Sequence, residues 1–167
     1  KSYHYRSKLK FSLIKIEHFS GERSTFYTIQ LEDGVVLFDE FLEENSKIYE
    51  KELKNITQRI RSMANQTGAQ EHFFRQKEGK PGDGVCALYD QPKSKLRLYC
   101  IRYGNAIVIL GGGGRKTTRT LQEDSKLDKE NKLMRELSQK ITVRVKAGEI
   151  DFSVDELEFI GNLEFYD

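Results

Sequence analysis

The stretch from Lys95 to Thr120, KLRLYCIRYGNAIVILGGGGRKTTRT, limits what this chain can fold into more than any other. In KLRLYCIRY the side chains alternate, so a strand puts Leu96, Leu98 and Cys100 on one side and Arg97, Tyr99, Ile101 and Tyr103 on the other. Gly104-Asn105 tolerates the left-handed backbone of a tight turn, and Ala106 to Leu110 is a continuous apolar run suited to a central strand. The resulting hairpin delivers four glycines and Arg115-Lys116 beside Arg97.

The rest of the chain supplies elements around this hairpin. Lys8 to His18 alternates cationic and apolar residues, Thr25 to Leu31 is β-branched and aromatic, and Ser20-Gly21-Glu22 between them predicts an N-terminal hairpin over 8–31. After the Asp33-Gly34 turn, Val35 to Phe38 fits either a short strand or the entry to a helix. Asp39 is placed to cap a short helix through Glu44, and Ser46 a longer one. Tyr49, Leu53, Ile56, Ile60 and Met63 form one helical stripe that Gly68 stops. Pro81-Gly82-Asp83-Gly84 marks a loop before the strand Val85 to Tyr89. Alternation puts Tyr89 on the face of Val85 and Ala87, near Arg97 and Tyr99 if the strands pair in that register. Ser125 is placed to cap a closing helix carrying Leu127, Met134, Leu137 and Ile141, which ends before Gly148. The acidic remainder carries too many apolar groups for a disordered tail, and is expected to dock on the body or on a partner.

At 167 residues and 37% hydrophobic content the chain suits one domain with a real core. Ala106 to Leu110 is far short of the roughly 20 apolar residues that cross a bilayer, and Lys1 to Lys10 has no apolar signal core behind it. A soluble, cytoplasmic protein with no membrane partner is expected. Cys86 and Cys100 sit among aliphatic neighbours and read as buried free thiols, with no metal or cofactor implied. The net charge of +2 hides an asymmetry: Arg75 to Arg119 holds ten cations against Glu78, Asp83 and Asp90, whereas Ile141 to Asp167 holds seven carboxylates against Arg144 and Lys146. The basic middle fits a polyanion, or a solvated surface.

The glycine tract invites comparison with a phosphate-cradling P-loop, and the comparison fails. That pattern needs glycines where this chain has Arg115 and Leu110. The glycines instead allow close backbone approach, or end a strand where side chains do not fit. Arg97, Arg115 and Lys116 suit phosphate oxygens, against the plainer reading that Arg97 pairs with a helix carboxylate and the others are loop charges. Tyr89, Tyr99 and Tyr103 suit stacking on unpaired bases, or half-buried packing. His72 is the histidine nearest this region and a candidate proton shuttle, or incidental at its junction.

Taken together, HFFRQKEGKPGDGVCALYD, KLRLYCIRYGNAIVIL and GGGGRKTTRT, set between a helix pair and a closing helix, resemble the RelE/ParE toxin superfamily, especially its HigB-like and phage Gp49-like branches. The resemblance covers about residues 39–140, between the hairpin and an acidic extension over 141–167. It implies a single α+β domain, an antiparallel sheet packed on two N-terminal helices with a closing helix. It also implies the toxin half of a type II toxin-antitoxin pair, which cleaves ribosome-bound mRNA by metal-free attack of the 2′-hydroxyl and is neutralised by a cognate antitoxin protein. The alternative is a non-catalytic domain of the same fold that binds RNA or a protein. On the family pattern Arg97 holds the scissile phosphate, and Lys116 or Arg115 stabilises the leaving oxygen or the transition state. His72, Tyr99 or a lysine of lowered pKa is the base, and Tyr99 or Tyr89 stacks on a nucleobase. Arg75, Lys77, Tyr89, Lys95, Arg102 and Arg119 complete the expected RNA-contacting surface. The acidic extension is expected to cover the basic site as an antitoxin would in trans.

Overall fold

Strands that are apolar on both faces need a layer on each side, and that requirement sets the architecture. The computed structural model describes residues 9–76, 78–116 and 125–166. In chain order the elements are β1 (Phe11–Lys15), β2 (Thr25–Leu31), α1 (Leu37–Asn45), α2 (Glu50–Ser62), β3 (Val85–Tyr89), β4 (Leu96–Tyr103), β5 (Ile107–Arg115), α3 (Ser125–Lys146), β6 (Ile150–Phe152), β7 (Phe159–Gly161) and β8 (Glu164–Phe165). Six strands form one sheet in the order β3-β4-β5-β2-β1-β8. Phe38, Phe41, Leu53, Ile56 and Ile60 of α1 and α2 cover Cys86, Leu88, Leu98, Cys100, Val108 and Leu110 on one face. Leu127, Met134, Leu137 and Ile141 of α3 cover Val85, Ala87, Ile101, Ile107 and Ile109 on the other. The closing helix therefore makes a third layer opposite the helix pair.

The sheet is mixed rather than antiparallel. The chain leaves β2 through both helices and returns at the far edge, so the antiparallel set β3-β4-β5 brings β5 alongside β2 in parallel. The N-terminal hairpin, expected beside the core, supplies two strands of this same sheet. Two helix starts differ from expectation as well. Val36 and Tyr49 occupy the N-cap positions without a side-chain cap, Asp39 lies inside the first turn of α1, and the Ser46 hydroxyl donates back to the Glu43 carbonyl. Both readings of Val35 to Phe38 hold in part, because Val36 bridges to Gln30 and Leu37 begins the helix. Gly68, at φ +75°, ends the helical stretch as expected. Cys86 and Cys100 face each other across β3 and β4 as buried free thiols.

The glycine tract lies inside β5. Leu98 pairs with Gly113 and Cys100 with Leu110, so Gly111 and Gly112 share the place opposite Tyr99 as a β-bulge. Cβ atoms on Gly111 and Gly112 would strike Met134 and Glu130 of α3, and one on Gly113 would strike the Arg97 carbonyl. The space these glycines leave is filled by α3 and by the neighbouring strand, not by a ligand.

The acidic extension does not cover the basic middle. The helix α3 ends at Lys146, before Gly148 as expected, so the acidic extension starts within it, and β8 then pairs with β1 at the opposite edge of the sheet from β3. Phe159 packs against Tyr27 and Tyr103, and Phe165 stacks on Phe11. Buried Arg144 donates to the carbonyls of Asn162 at 2.9 Å and Glu164 at 2.6 Å, and lies over the Phe165 ring. Apolar docking, not attraction to the site, decides where the tail goes. Among the described residues no helix is long and apolar enough to cross a membrane.

Three substitutions test this packing through stability. Gly113→Ala should cost about 1–3 kcal/mol because backbone must move. Gly114→Ala, whose nearest neighbour would be Lys126 Cγ at 3.4 Å, should stay within about 0.5 kcal/mol of the parent in urea unfolding. Arg144→Ala should cost about 2 kcal/mol and speed amide exchange at Phe159 and Glu164, the mark of a tail released from the body.

Candidate functional site

The register that pairs Tyr89 with Arg97 and Ala87 with Tyr99 decides the geometry of the basic middle. Directly opposed residues share a face, so Arg97, Tyr99 and Tyr89 all project on the α3 side, at the carboxyl ends of β3 and β5. The pairing of β4 with β5 then separates the two cations after the glycines. Arg115 lies opposite Leu96, whose side chain is in the α1–α2 core, and is exposed on that side. Lys116 donates its amide to the Lys95 carbonyl at 2.7 Å, and its ammonium comes within 5.3 Å of the Tyr89 ring centroid. Arg97 lies 5.2 Å from the same centroid, and Arg75 donates to the Tyr89 hydroxyl at 3.1 Å. Three cations therefore meet around one tyrosine.

The surroundings of Arg97 hold the chemistry. Its side chain is 17% exposed, and its Nη1 donates to the Tyr99 hydroxyl at 3.2 Å. Glu78 Oε1 stands 3.6 Å from Nη1 on a side chain 11% exposed. Among the described residues neither Arg97 Nε nor Glu78 Oε1 has a hydrogen-bond partner. Burial disfavours the Arg97 charge, but the Tyr99 hydroxyl, Tyr89 and Glu78 more than offset it and hold its pKa above the ordinary guanidinium value. The site thus keeps a charged fork with one unused, inward donor, a group that costs about 1–3 kcal/mol to leave unmade. An oxyanion is its natural partner.

Glu78 is the residue that the sequence reading missed. It belongs to the loop before β3, whose Glu78 carbonyl accepts from Asn131 of α3 at 2.7 Å. The available signal was its rarity, as one of three carboxylates in the basic stretch from Arg75 to Arg119.

Other expected site residues lie elsewhere. His72 is exposed, with its ring against Phe73, and has no contact with the Arg97 cluster among the described residues. Arg102 faces the opposite side, where it donates to the Ala69 carbonyl at 3.0 and 3.1 Å and to Asn105, and covers Phe74. Lys95 pairs with Glu52 of α2 at 3.4 Å. Tyr99 is 2% exposed, so it cannot stack on a nucleobase, and burial raises its pKa against the opposing pull of Arg97. At neutral pH it is a phenol that orients Arg97, not a base. Tyr103 is partly buried among the tail aromatics. Lys77 and Arg119 lie outside the described residues.

No family model matches the chain, and neither curated proteins nor solved structures return a match. The reading of the site therefore stands on its own geometry. Among the described residues no three His, Cys, Asp or Glu side chains gather as metal ligands. What the cluster can do is bind a phosphodiester at Arg97 and Lys116, offer Glu78 to a nearby proton, and offer the partly exposed Tyr89 to a base or ribose.

The raised Tyr99 pKa has a measurable consequence. Its stabilising contribution is complete below the unfolded-state value near pH 10 and is lost as pH rises through the higher folded value. Urea unfolding between about pH 8 and 11 should show a smaller alkaline loss of stability in Tyr99→Phe than in the parent. Equal losses would show that Tyr99 ionises normally.

Proposed function

We propose that this chain is a metal-free endoribonuclease of the RelE/ParE type, the toxin half of a toxin-antitoxin pair acting on ribosome-bound mRNA. The observation that carries the reading is the convergence of Arg97 and Lys116 on Tyr89 with Glu78 against Arg97. In this mechanism Arg97 holds the scissile phosphate through the fork that Tyr99 orients. Glu78 accepts the proton of the 2′-hydroxyl as its oxygen bonds to phosphorus. The bond from phosphorus to the 5′-oxygen breaks, and Lys116 supplies the proton to that leaving oxygen. The products are a 2′,3′-cyclic phosphate and a 5′-hydroxyl. Arg97 and Lys116 offset the added negative charge of the transition state in a half-buried site, where fixed charges act strongly. The protein antitoxin belongs to this reading as the partner that would occlude the same face.

A binding-only version of the site is favoured by one feature, the low exposure of an Arg97 already faced by Glu78. Expression in a bacterial host with mapping of RNA ends separates the two. The nuclease reading expects growth arrest and new 5′-hydroxyl ends, both abolished by Arg97→Ala and by Lys116→Ala. It expects cleavage reduced by about 100-fold or more in Glu78→Gln. Arrest that survives both cation substitutions, or RNA retained without new ends, would overturn it.

A further inference from the structure

The loop that carries Glu78 has a second face. Between residues 79–84 and α3 lies an open cleft of about 310 Å³, lined by Lys80, Asp83, Lys132, Arg135, Glu136 and Gln139. We propose that this cleft seats a second phosphate of the RNA strand, next to the one held at Arg97; the proposal rests on the ribonuclease reading above.

The cleft is built rather than incidental. The Asp83 carboxylate accepts from the amides of Lys80 at 2.7 Å and Val85 at 2.9 Å, so this acid is occupied in shaping the loop. Gly82 and Gly84 have φ of +87° and +75°, and a Cβ on Gly79 would strike the same carboxylate. The buried Ser138 hydroxyl donates to the Asp83 carbonyl at 2.7 Å, and Asn131 holds the Glu78 carbonyl, so two bonds pin the loop to α3. Lys132, Arg135 and Gln139 follow at spacings of three and four and share one helix face. Lys132 pairs with a half-exposed Asp128 at 3.0 Å, a pairing that an incoming phosphate readily replaces. Glu136 is the opposing carboxylate.

Position and chemistry both favour a continuing strand. Lys80 follows Glu78 by two residues, which places its backbone at most about 7 Å further along. A strand held at Arg97 would follow this loop toward the cleft. Among the described residues the lining has no apolar side chain, unlike the centre of a protein interface, while an arginine fork and two ammonium groups suit phosphate.

The probe is an oligoribonucleotide of mixed sequence, 2′-O-methylated so that it cannot be cut, with binding measured against salt concentration. Lys132→Ser with Arg135→Ser should weaken binding and make the plot of log affinity against log salt shallower by about 1.4, two contacts at about 0.7 each for a single strand. Lys51→Ser with Lys54→Ser on α2 removes the same charge from the other layer and should leave the slope unchanged. The proposal is overturned if the cleft variant keeps the parent slope, or if the α2 variant shifts it equally. Arg97→Ala, run alongside, tests the ribonuclease reading separately: unchanged binding there with a shallower slope in the cleft variant would leave the cleft standing and remove the reading. A parent protein that binds no probe removes both. Thermal melts confirm that each variant is folded.

Discussion

The contact between α3 and the glycine tract of β5 is the one on which the rest of the structure depends. With side chains at Gly111 and Gly112, the ends of the Met134 and Glu130 side chains would have to move, and α3 would repack against the sheet. The cover over the aliphatic face formed by Ile101, Ile107 and Ile109 would change with it. The same seating brings Asn131 and Ser138 to the loop before β3 and so fixes Glu78 beside Arg97. A packing requirement in the middle of the sheet thus sets the chemistry at its end.

Charge is distributed by the same logic. Lys126 at the start of α3 pairs with Glu44 of α1 at 3.2 Å and Glu130 at 2.8 Å, joining the layers around the edge of β5 beyond its pairing with β2. Arg59 of α2 donates to the carbonyls of Tyr89 and Phe73, and the buried Asp90 accepts from Leu96, which together hold the turn between β3 and β4. Cations that looked alike in the sequence therefore divide into two kinds. Arg59, Arg102 and Arg144 bind backbone carbonyls and serve the fold, whereas Arg75, Arg97 and Lys116 gather around Tyr89.

Period-two alternation made much of this legible. It assigned the two faces of β4 and allied Tyr89 with Arg97 on condition of the register, while helical spacing of three and four identified the stripe of α2, because each signal is local and repeats within one element. The layer taken by α3, the parallel pairing of β2 with β5 and the docking of the tail depend on contacts between distant segments, on which local pattern is silent. The choice between Arg115 and Lys116 turned on a single bulge: one residue of slippage changes the face of everything after it. Glu78 was hidden for another reason, since it sits in a loop with no period and acquires its neighbour through the bonds of Asn131 and Ser138 to that loop. Resemblance to a toxin family suggested roles for Arg97 and Lys116, and in the proposed mechanism Glu78 takes the acid-base place that the resemblance left open.

The central claim is that Arg97 is a phosphate anchor whose unused Nε and neighbouring carboxylate await a phosphodiester. A crystal structure with an uncleavable 2′-O-methylated RNA tests it most directly. The account predicts a phosphate oxygen within hydrogen-bond distance of Arg97 Nε, Lys116 on the 5′-oxygen side, and Glu78 turned toward the 2′-oxygen. RNA bound on another face, with Arg97 and Glu78 still against each other, would contradict it.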